Sequence, residues 1–439
     1  MPQIRPFRAL RYATDAIPDI AAVVAPPYDV IGPAEHARLL ARHPANVVRL
    51  DLPSAEPGDE PDERYRRAAR TLAAWRSDGT LHKDPRSAVY VYEQTYRVPD
   101  TDVERTQRGF FGRLRLETFG PDAGVLRHER TLEGPREDRY RLLRATGVNT
   151  SPVVALYDDP SGTSSAVLAT LAAGQPVADV RDDDGVRHRL WVVEADGPFA
   201  DRVAALTEAA GSGPVTIADG HHRYETALRY RDERRMSRSC EEDPAFDYLL
   251  ALLLESTAEP LTILPTHRVV RGLGGDGVET LRAGLADFFE MRTASRSELL
   301  REFEGALGGG GAGRFGFWTR DGGSMLTASR AAFATDSSAV PPPVASLDAW
   351  LLGQALERAA GLDAAAVEGG DRIGYTKSAA EALGLVDATT DGADAAFLLD
   401  PTPVEAVEAV ARSGAVMPQK STYFYPKALT GLVINPHEW

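Results

Sequence analysis

The residues with the clearest chemical potential lie in one short run, 219–223, which reads Asp-Gly-His-His-Arg. The apolar residues 215–218 before it predict a strand, and the residues after it predict a helix from about His221 to Arg235. The first N–H groups of a helix have no partner inside the helix, and its dipole places positive potential there. Imidazole and guanidinium groups add further donors, and a guanidinium can hold two phosphate oxygens. The run therefore predicts a phosphate site formed by Gly220, His222 and Arg223, with Asp219, His221 and His222 in catalytic roles.

The roles predicted for Asp219 are to bind a metal ion or to orient an attacking hydroxyl. Two other interpretations stay open. In the first, Asp219 caps the helix while the histidines pair with backbone carbonyls. In the second, Asp219, His221 and His222 bind a transition metal, although neighbouring helix residues point about 100° apart.

If a phosphoryl group bound at this turn is passed to a hydroxyl, a carboxylate is needed to orient that hydroxyl. The segment 126–131, placed between a strand and a helix, supplies Glu129 as the candidate base and His128 as a phosphate contact. The alternative is that Glu129 pairs with a nearby arginine, namely Arg127, Arg130, Arg136 or Arg139.

Three further segments could contact a substrate. The stretch 25–31 has two prolines that stiffen a turn, 149–152 offers short polar groups before a strand, and 420–427 surrounds aromatic residues with lysines and hydroxyls. Each segment also has a purely structural interpretation. The stretch 25–31 is then a buried corner, 149–152 an ordinary turn, and 420–427 a terminal strand whose lysines extend into solvent. The substrate-contacting residues predicted from these segments are Tyr28, Asp29, Asn149, Lys420 and Ser421.

The elements that must position these groups alternate along the chain. Short apolar runs such as 47–50, 88–96, 110–116 and 153–157 predict strands, and amphipathic stretches between them predict helices. This pattern indicates a mixed α/β (α+β) fold. We place domain boundaries to give 1–157, 158–305 and 306–439. The glycines of 272–277 match a dinucleotide-binding fingerprint, but the pattern around them does not predict a parallel βαβ unit.

Composition limits the function classes. The chain has 439 residues, with 49 basic and 64 acidic residues and a net charge of −15, so a broad nucleic-acid-binding surface is disfavoured. A single cysteine, Cys240, cannot form an intramolecular disulfide, which favours a reducing compartment. The first residues do not resemble a signal peptide, and no apolar run approaches the roughly 20 residues that span a bilayer. We predict a cytoplasmic protein without membrane contact.

Two resemblances extend this interpretation. The strand–Asp-Gly-His-His-Arg–helix unit resembles the phosphate-binding box of the ParB/sulfiredoxin superfamily, particularly its free serine kinases. The chain as a whole resembles the family called domain of unknown function 1015, through the segments Arg5–Arg11, Ala25–Ile31 and Met417–Lys427. The first resemblance implies a ParB/sulfiredoxin-like nucleotide-binding core with additional α/β lobes, and nucleotide phosphates held at the helix start.

The combined prediction is a nucleotide-dependent phosphotransferase that acts on a small hydroxylated metabolite such as serine. ATP or ADP is the expected donor, and Mg²⁺, held by Asp219, is the expected cofactor. A phosphohydrolase, a non-enzymatic nucleotide-binding regulator and a metalloenzyme are the alternatives, and a homo-oligomer is left open.

Overall fold

The computed structural model describes residues 1–438 except 121–122, 132, 238–241, 258–260, 307–312, 335–338, 363–371 and 391. Cys240 and most of the glycine run 308–313 therefore lie outside the described residues. Within the described part, no helix is long and apolar enough to cross a membrane.

The strands, numbered in chain order, are β1 (Ile4–Arg5), β2 (Leu10–Tyr12), β3 (Leu81–Lys83), β4 (Ala88–Arg97), β5 (Glu104–Arg115), β6 (Val125–Leu126), β7 (Val148–Asn149), β8 (Val153–Tyr157), β9 (Ala178–Arg181), β10 (Arg187–Glu194), β11 (Val215–Asp219), β12 (Tyr248–Glu255), β13 (Thr262–Ile263), β14 (His267–Val270), β15 (Phe289–Ala294), β16 (Arg314–Thr319), β17 (Gly322–Ala328), β18 (Ile373–Thr376), β19 (Ala395–Leu398), β20 (Phe424–Tyr425) and β21 (Asn435–Pro436).

The α-helices are α1 (Pro33–Arg42), α2 (Val48–Asp51), α3 (Glu63–Ser77), α4 (Glu133–Thr146), α5 (Thr163–Leu171), α6 (Ala200–Ala210), α7 (His221–Ser237), α8 (Gly274–Leu285), α9 (Arg296–Phe303), α10 (Pro342–Ala345), α11 (Asp348–Ala360), α12 (Ala379–Asp387) and α13 (Val404–Arg412). Short 3₁₀ helices span Ile20–Ala22, Tyr28–Val30, Ala245–Asp247 and Arg330–Phe333.

A nine-stranded mixed sheet forms the larger layer. Its strands lie in the order β6-β11-β8-β12-β5-β4-β10-β9, with β1 paired to β5. The central strand β12, a run of leucines, is parallel to β8 and antiparallel to β5, and all its residues are buried. An apolar run without alternation is expected where both faces of a strand are covered. The predicted mixed α/β fold is confirmed.

A second, six-stranded sheet has the order β15-β17-β16-β19-β14-β18. Strand β14 is antiparallel to both of its neighbours, β18 and β19. The glycines 272–277 that follow β14 therefore do not open a parallel βαβ unit.

The last part of the chain forms two small two-stranded sheets with earlier elements. Strand β20 pairs with β13, and β21 pairs with β7. Backbone bridges join Leu10 to Ile434 and Ala25 to Thr430. Residues 413–438, which we call the C-terminal segment, thus contact elements from the first half of the chain.

The strand predicted at 47–50 is wrong, because the structure has the helix α2 there. The Asn46 side chain donates to the carbonyls of Ala22 and Val24, and its Oδ1 accepts from Val48 N, which supports the helical turn. Burial of Val47, Val48 and Leu50 comes from these tertiary contacts and not from a sheet face. The three-domain division stays a prediction, and strand pairing crosses both proposed boundaries, since β11 pairs with β6 and β8, and β14 pairs with β18 and β19.

Candidate active site

The Asp-Gly-His-His-Arg run forms the predicted junction between a strand and a helix. Strand β11 ends at Asp219, Gly220 has φ +91°, and α7 begins at His221. A β-carbon on Gly220 would lie 3.0 Å from Arg223 Nε, so glycine is required for both conformation and space. Tyr224 and Ala227 are fully buried in the hydrophobic core.

Asp219 is held between two cations. Arg223 Nη2 donates to Asp219 Oδ2 at 2.6 Å, and Lys427 Nζ donates to Asp219 Oδ1 at 2.5 Å. Arg223 also donates to the carbonyl of Pro152. Burial alone would raise the pKa of Asp219, but the charges of Lys427 and Arg223 outweigh it and the pKa is lowered. Asp219 is therefore an ionised carboxylate with a positive group on each oxygen.

Lys427 is a site residue that the sequence prediction missed. It lies 208 residues from Asp219, and the C-terminal segment brings it there. Its Nζ is also 4.4 Å from the ring centroid of Tyr423, whose other close cation is Lys377 Nζ at 3.8 Å. The signal was the lysine-bearing segment 420–427 itself, but our predictions singled out Lys420 and Ser421 within it.

Two buried histidines lie beside this carboxylate. The rings of His128 and His221 are 4.6 Å apart in an edge-to-face arrangement. His128 Nδ1 lies 2.8 Å from the Ile217 carbonyl, and burial lowers the pKa of His128 to about 4. Burial and the neighbouring His128 also lower the pKa of His221 well below its ordinary value. His221 Nε2 is buried and has no hydrogen-bond partner among the residues that the structure describes.

The turn is partly exposed. His221 is 6% exposed, whereas Gly220 and His222 are partly exposed and the side chains of Asp219 and Arg223 are 13% and 12% exposed. Burial lowers the pKa of His222, and the charge of Asp29 opposes that effect. The start of α7 therefore keeps limited contact with solvent.

Glu129, on the segment that follows β6, lies near the charges of Asp219, Lys420 and Lys427. Lys420 N lies 3.5 Å from Glu129 Oε1. Burial raises the pKa of Glu129, and the charge of Asp219 adds to this rise. The charges of Lys420 and Lys427 act in the opposite direction. Three of the four arginines named as alternative partners are engaged elsewhere, as Arg127 and Arg136 pair with Glu225, and Arg139 pairs with Asp138.

The stretch 25–31 lies at the edge of this group. The Arg139 guanidinium stacks on the Tyr28 ring, 4.1 Å from its centroid. Burial raises the pKa of Tyr28 to about 12, and Arg223 is the strongest charge opposing that rise. Asp29 is exposed, and its charge acts on His222 and Arg223. Tyr28 and Asp29 are therefore close enough to contact a ligand at the turn.

Two predicted substrate residues have other neighbours. Asn149 Oδ1 lies within hydrogen-bond distance of Leu250 N, Asn435 Nδ2 and His437 Nε2, so it joins β7 to the C-terminal segment. Ser421 is buried, and its hydroxyl donates to the Pro418 carbonyl. Contact of Asn149 and Ser421 with a substrate therefore stays a prediction.

The residues present do not fit a resident Mg²⁺ on Asp219. Both of its oxygens accept from cationic groups, which occupy the positions a metal would take. Among the described residues, no group of three or more histidine, cysteine, aspartate or glutamate side chains is arranged to hold a metal ion. No chemical step is therefore derived through a metal at Asp219.

A family model described as "Protein of unknown function (DUF1015)" matches residues 4–350. The chain belongs to the DUF1015 family. A search of curated proteins found no match.

Several solved structures resemble this DUF1015 protein weakly. One is a free serine kinase in complex with AMP, 13% identical, with 77% of this chain and 95% of that chain covered and a TM-score of 0.37. Others are a conserved hypothetical protein from Pyrococcus furiosus, 12% identical, covering 72% and 98% with a TM-score of 0.35, and SbnI with a C-terminal truncation from Staphylococcus aureus, 12% identical, covering 73% and 87% with a TM-score of 0.36. Because these similarities are weak, the function has to be argued from the site.

Proposed function

We propose that the protein binds a nucleotide at the start of α7 and transfers a phosphoryl group to a small hydroxylated metabolite, with free serine as the first acceptor to test. The observation that carries the proposal is the pairing of Lys427 and Arg223 with Asp219 at a helix N-terminus, next to His221, whose buried Nε2 has no hydrogen-bond partner among the described residues. Helix N-termini supply N–H groups that suit phosphate oxygens. In this proposal the unit takes the role of the ParB/sulfiredoxin-like box that the sequence resemblance implied.

Each residue has a role that follows from its surroundings. Lys427 and Arg223 neutralise charge on the phosphoryl group that is transferred. The N–H groups of Gly220, His221 and His222 donate hydrogen bonds to the phosphate oxygens. His221 is neutral near pH 7, because its pKa is lowered by burial, so it acts as a hydrogen-bond donor and not as a charge. His128 orients His221 through their ring contact.

Glu129 is the proposed acceptor-orienting base. A carboxylate whose pKa is raised by burial accepts a proton more readily than an exposed one, and Glu129 has this property. Asp219 is already neutralised by two cations and is a weaker base, so its role is to fix Lys427 and Arg223 in place. Tyr28, Asp29 and Lys420 surround the acceptor in this scheme.

The decisive experiment incubates the purified chain with ATP or ADP, serine and Mg²⁺, and follows phosphoserine and inorganic phosphate by ³¹P NMR. Phosphoserine supports the transfer reaction. Phosphate released without phosphoserine would identify a phosphohydrolase, and nucleotide binding without turnover would identify a regulator. If calorimetry detects no binding of either nucleotide, the proposal is wrong.

A matched pair of lysine variants tests the site. Lys427→Met should weaken nucleotide binding about tenfold or more, since it removes a charge at the phosphate position. Lys83→Met is the control, because Lys83 also pairs with a carboxylate, Glu438 at 3.3 Å, but lies on β3. If Lys427→Met and Lys83→Met bind the nucleotide with equal affinity, Lys427 does not contact the nucleotide.

A further inference from the structure

A cavity with polar and apolar walls lies next to Ser421, the residue that follows Lys420. Its volume is about 180 Å³, and its lining includes Thr266, Arg268, Asp348, Thr402 and Ser421. This volume is below the roughly 300–1,000 Å³ that is typical of sites for drug-sized ligands. The cavity suits a small metabolite and is too small for a nucleotide.

Arg268 is a buried charge without an acidic partner. It is 6% exposed, and its guanidinium donates to the carbonyls of Thr266 and Lys420. None of its hydrogen bonds in the described part of the chain goes to a carboxylate. By contrast, the largely buried Arg139 and Arg223 pair with Asp138 and Asp219. Burial lowers the pKa of Arg268, and only Tyr375, whose ring centroid is 5.3 Å away, opposes this. A buried charge without a counter-charge is costly, and an anion in the cavity would relieve that cost.

Two helices begin at the same cavity. Leu347 and Asp348 at the start of α11, a helix of 13 residues, and Thr402 and Pro403 before α13, a helix of nine residues, all line it. Neither helix has a hydrogen bond from a capping side chain at its first residue. Both helix dipoles therefore add positive potential to the cavity that Arg268 lines.

The acidic residues in the lining set the selectivity. Asp400 is neutralised by Arg314, whose Nε lies 2.9 Å from Asp400 Oδ2. Asp348 accepts from Gly313 N at 3.0 Å and lies in the first turn of α11, where the helix dipole favours a negative charge. These carboxylates disfavour a polyanion such as a triphosphate. The cavity fits an anion of low charge.

We propose that this cavity is a second binding site for the oxyanion of a small metabolite, a carboxylate or phosphate group held by Arg268. The site is separate from the nucleotide turn, and it does not depend on the proposed kinase activity. It is linked to that turn by one residue, since Arg268 Nη2 donates to Lys420 O at 3.3 Å and Lys420 N lies 3.5 Å from Glu129 Oε1.

Thermal unfolding of the full chain tests the site. Inorganic phosphate and, separately, acetate are titrated at constant ionic strength into the wild type, Arg268→Met and Arg282→Met. Arg282 is the matched control, because it lies in the same half of the chain and donates to Thr319 Oγ1 without lining the cavity. A ligand that binds the folded form raises the unfolding temperature. We expect Arg268→Met to lose at least half of the shift and Arg282→Met to keep it.

The anion that gives the Arg268-dependent shift identifies the ligand group. Without any anion, Arg268→Met should unfold at a temperature equal to or above that of the wild type, since it removes an uncompensated buried charge. If Arg268→Met keeps the full shift for both anions, the proposal is overturned.

Crystals of the wild type soaked in selenate give a readout that does not depend on a folded variant. The expected result is an anomalous peak within hydrogen-bond distance of the Arg268 guanidinium. A peak only at the start of α7 would support the nucleotide site and overturn this one, and a peak only at Arg268 would do the reverse. The failures of the two proposals are therefore distinguishable.

Discussion

At the scale of single residues, the site depends on a carboxylate that is more useful as an organiser than as a base. Asp219 accepts from Arg223 and Lys427, and each of the three side chains is only 12% or 13% exposed. Removing the central charge would leave two buried cations without a counter-charge. The residue is therefore expected to contribute to stability as well as to ligand binding.

Asp219→Asn should destabilise the protein by about 3 kcal/mol near pH 7, the range seen when a buried ion pair loses one partner. Because the pKa of Asp219 is lower in the folded chain than its ordinary value of 3.8, its stabilising effect is complete above that pH and is lost as the pH falls below it. The difference in unfolding free energy between wild type and variant, measured by urea denaturation, should shrink from pH 5 to pH 3. A difference that stays constant over this range would contradict the assignment.

Gly220→Ala should affect both folding and binding. The new β-carbon would lie 3.0 Å from Arg223 Nε in a backbone with φ +91°, and a left-handed conformation alone costs about 1–2 kcal/mol. The control is Gly185→Ala, where φ is +79° and no atom lies within 4 Å. Both variants should lose stability, but only Gly220→Ala should lose nucleotide binding in a calorimetric titration. Normal binding by Gly220→Ala would show that Arg223 does not contact the ligand.

At the scale of elements, the site is made where β11 and α7 meet the segment that carries His128 and Glu129. The buried pair His128 and His221 packs between them. Burial lowers the pKa of both imidazoles, so the unfolded chain binds protons at pH values where the folded chain does not. Acid is therefore expected to loosen this junction.

The unfolding free energy should fall as the pH decreases from 6.5 to about 4, the interval between the ordinary and the folded pKa of His128. The expected loss is up to about 3 kcal/mol for His128 alone. His128→Asn should flatten this pH dependence, whereas the partly exposed His82 on β3 can be replaced by asparagine as a control without effect on the slope. Parallel pH profiles for the wild type and His128→Asn, obtained by urea denaturation, would argue against a neutral buried imidazole.

The sequence predicted these elements unevenly. The strand–turn–helix unit at Asp219 was predictable because its signals are local, namely an apolar run, a glycine and helical spacing at Tyr224 and Ala227. The run 47–50 was misassigned because its burial comes from distant contacts that no local pattern contains. Lys427 was missed for the same reason, as its position depends on where the C-terminal segment lies.

At the scale of the whole molecule, the C-terminal segment is what completes the site. It pairs with β7 and β13, forms bridges to Leu10 and Ala25, and carries Lys427 to Asp219. The fully buried Arg113 on β5 anchors the end of this segment, donating to Asn435 Oδ1 and to the carbonyls of Pro436 and Glu438. Folding of the larger sheet and assembly of the site are thereby coupled.

Arg113→Met tests this coupling. The substitution leaves two buried acceptors, Asn435 Oδ1 and the Pro436 carbonyl, and the carbonyl of the exposed Glu438 without their donor. Each unsatisfied buried group costs about 1–3 kcal/mol. We expect faster trimming of the chain end by carboxypeptidase and, because Lys427 belongs to the same segment, weaker nucleotide binding. Arg115→Met is the control, since Arg115 lies on the same strand but bonds to Gln3 and is 39% exposed. If Arg113→Met is trimmed faster yet binds nucleotide as tightly as Arg115→Met does, Lys427 reaches Asp219 independently of the chain end, because the contacts of β20 with β13 then suffice to hold it.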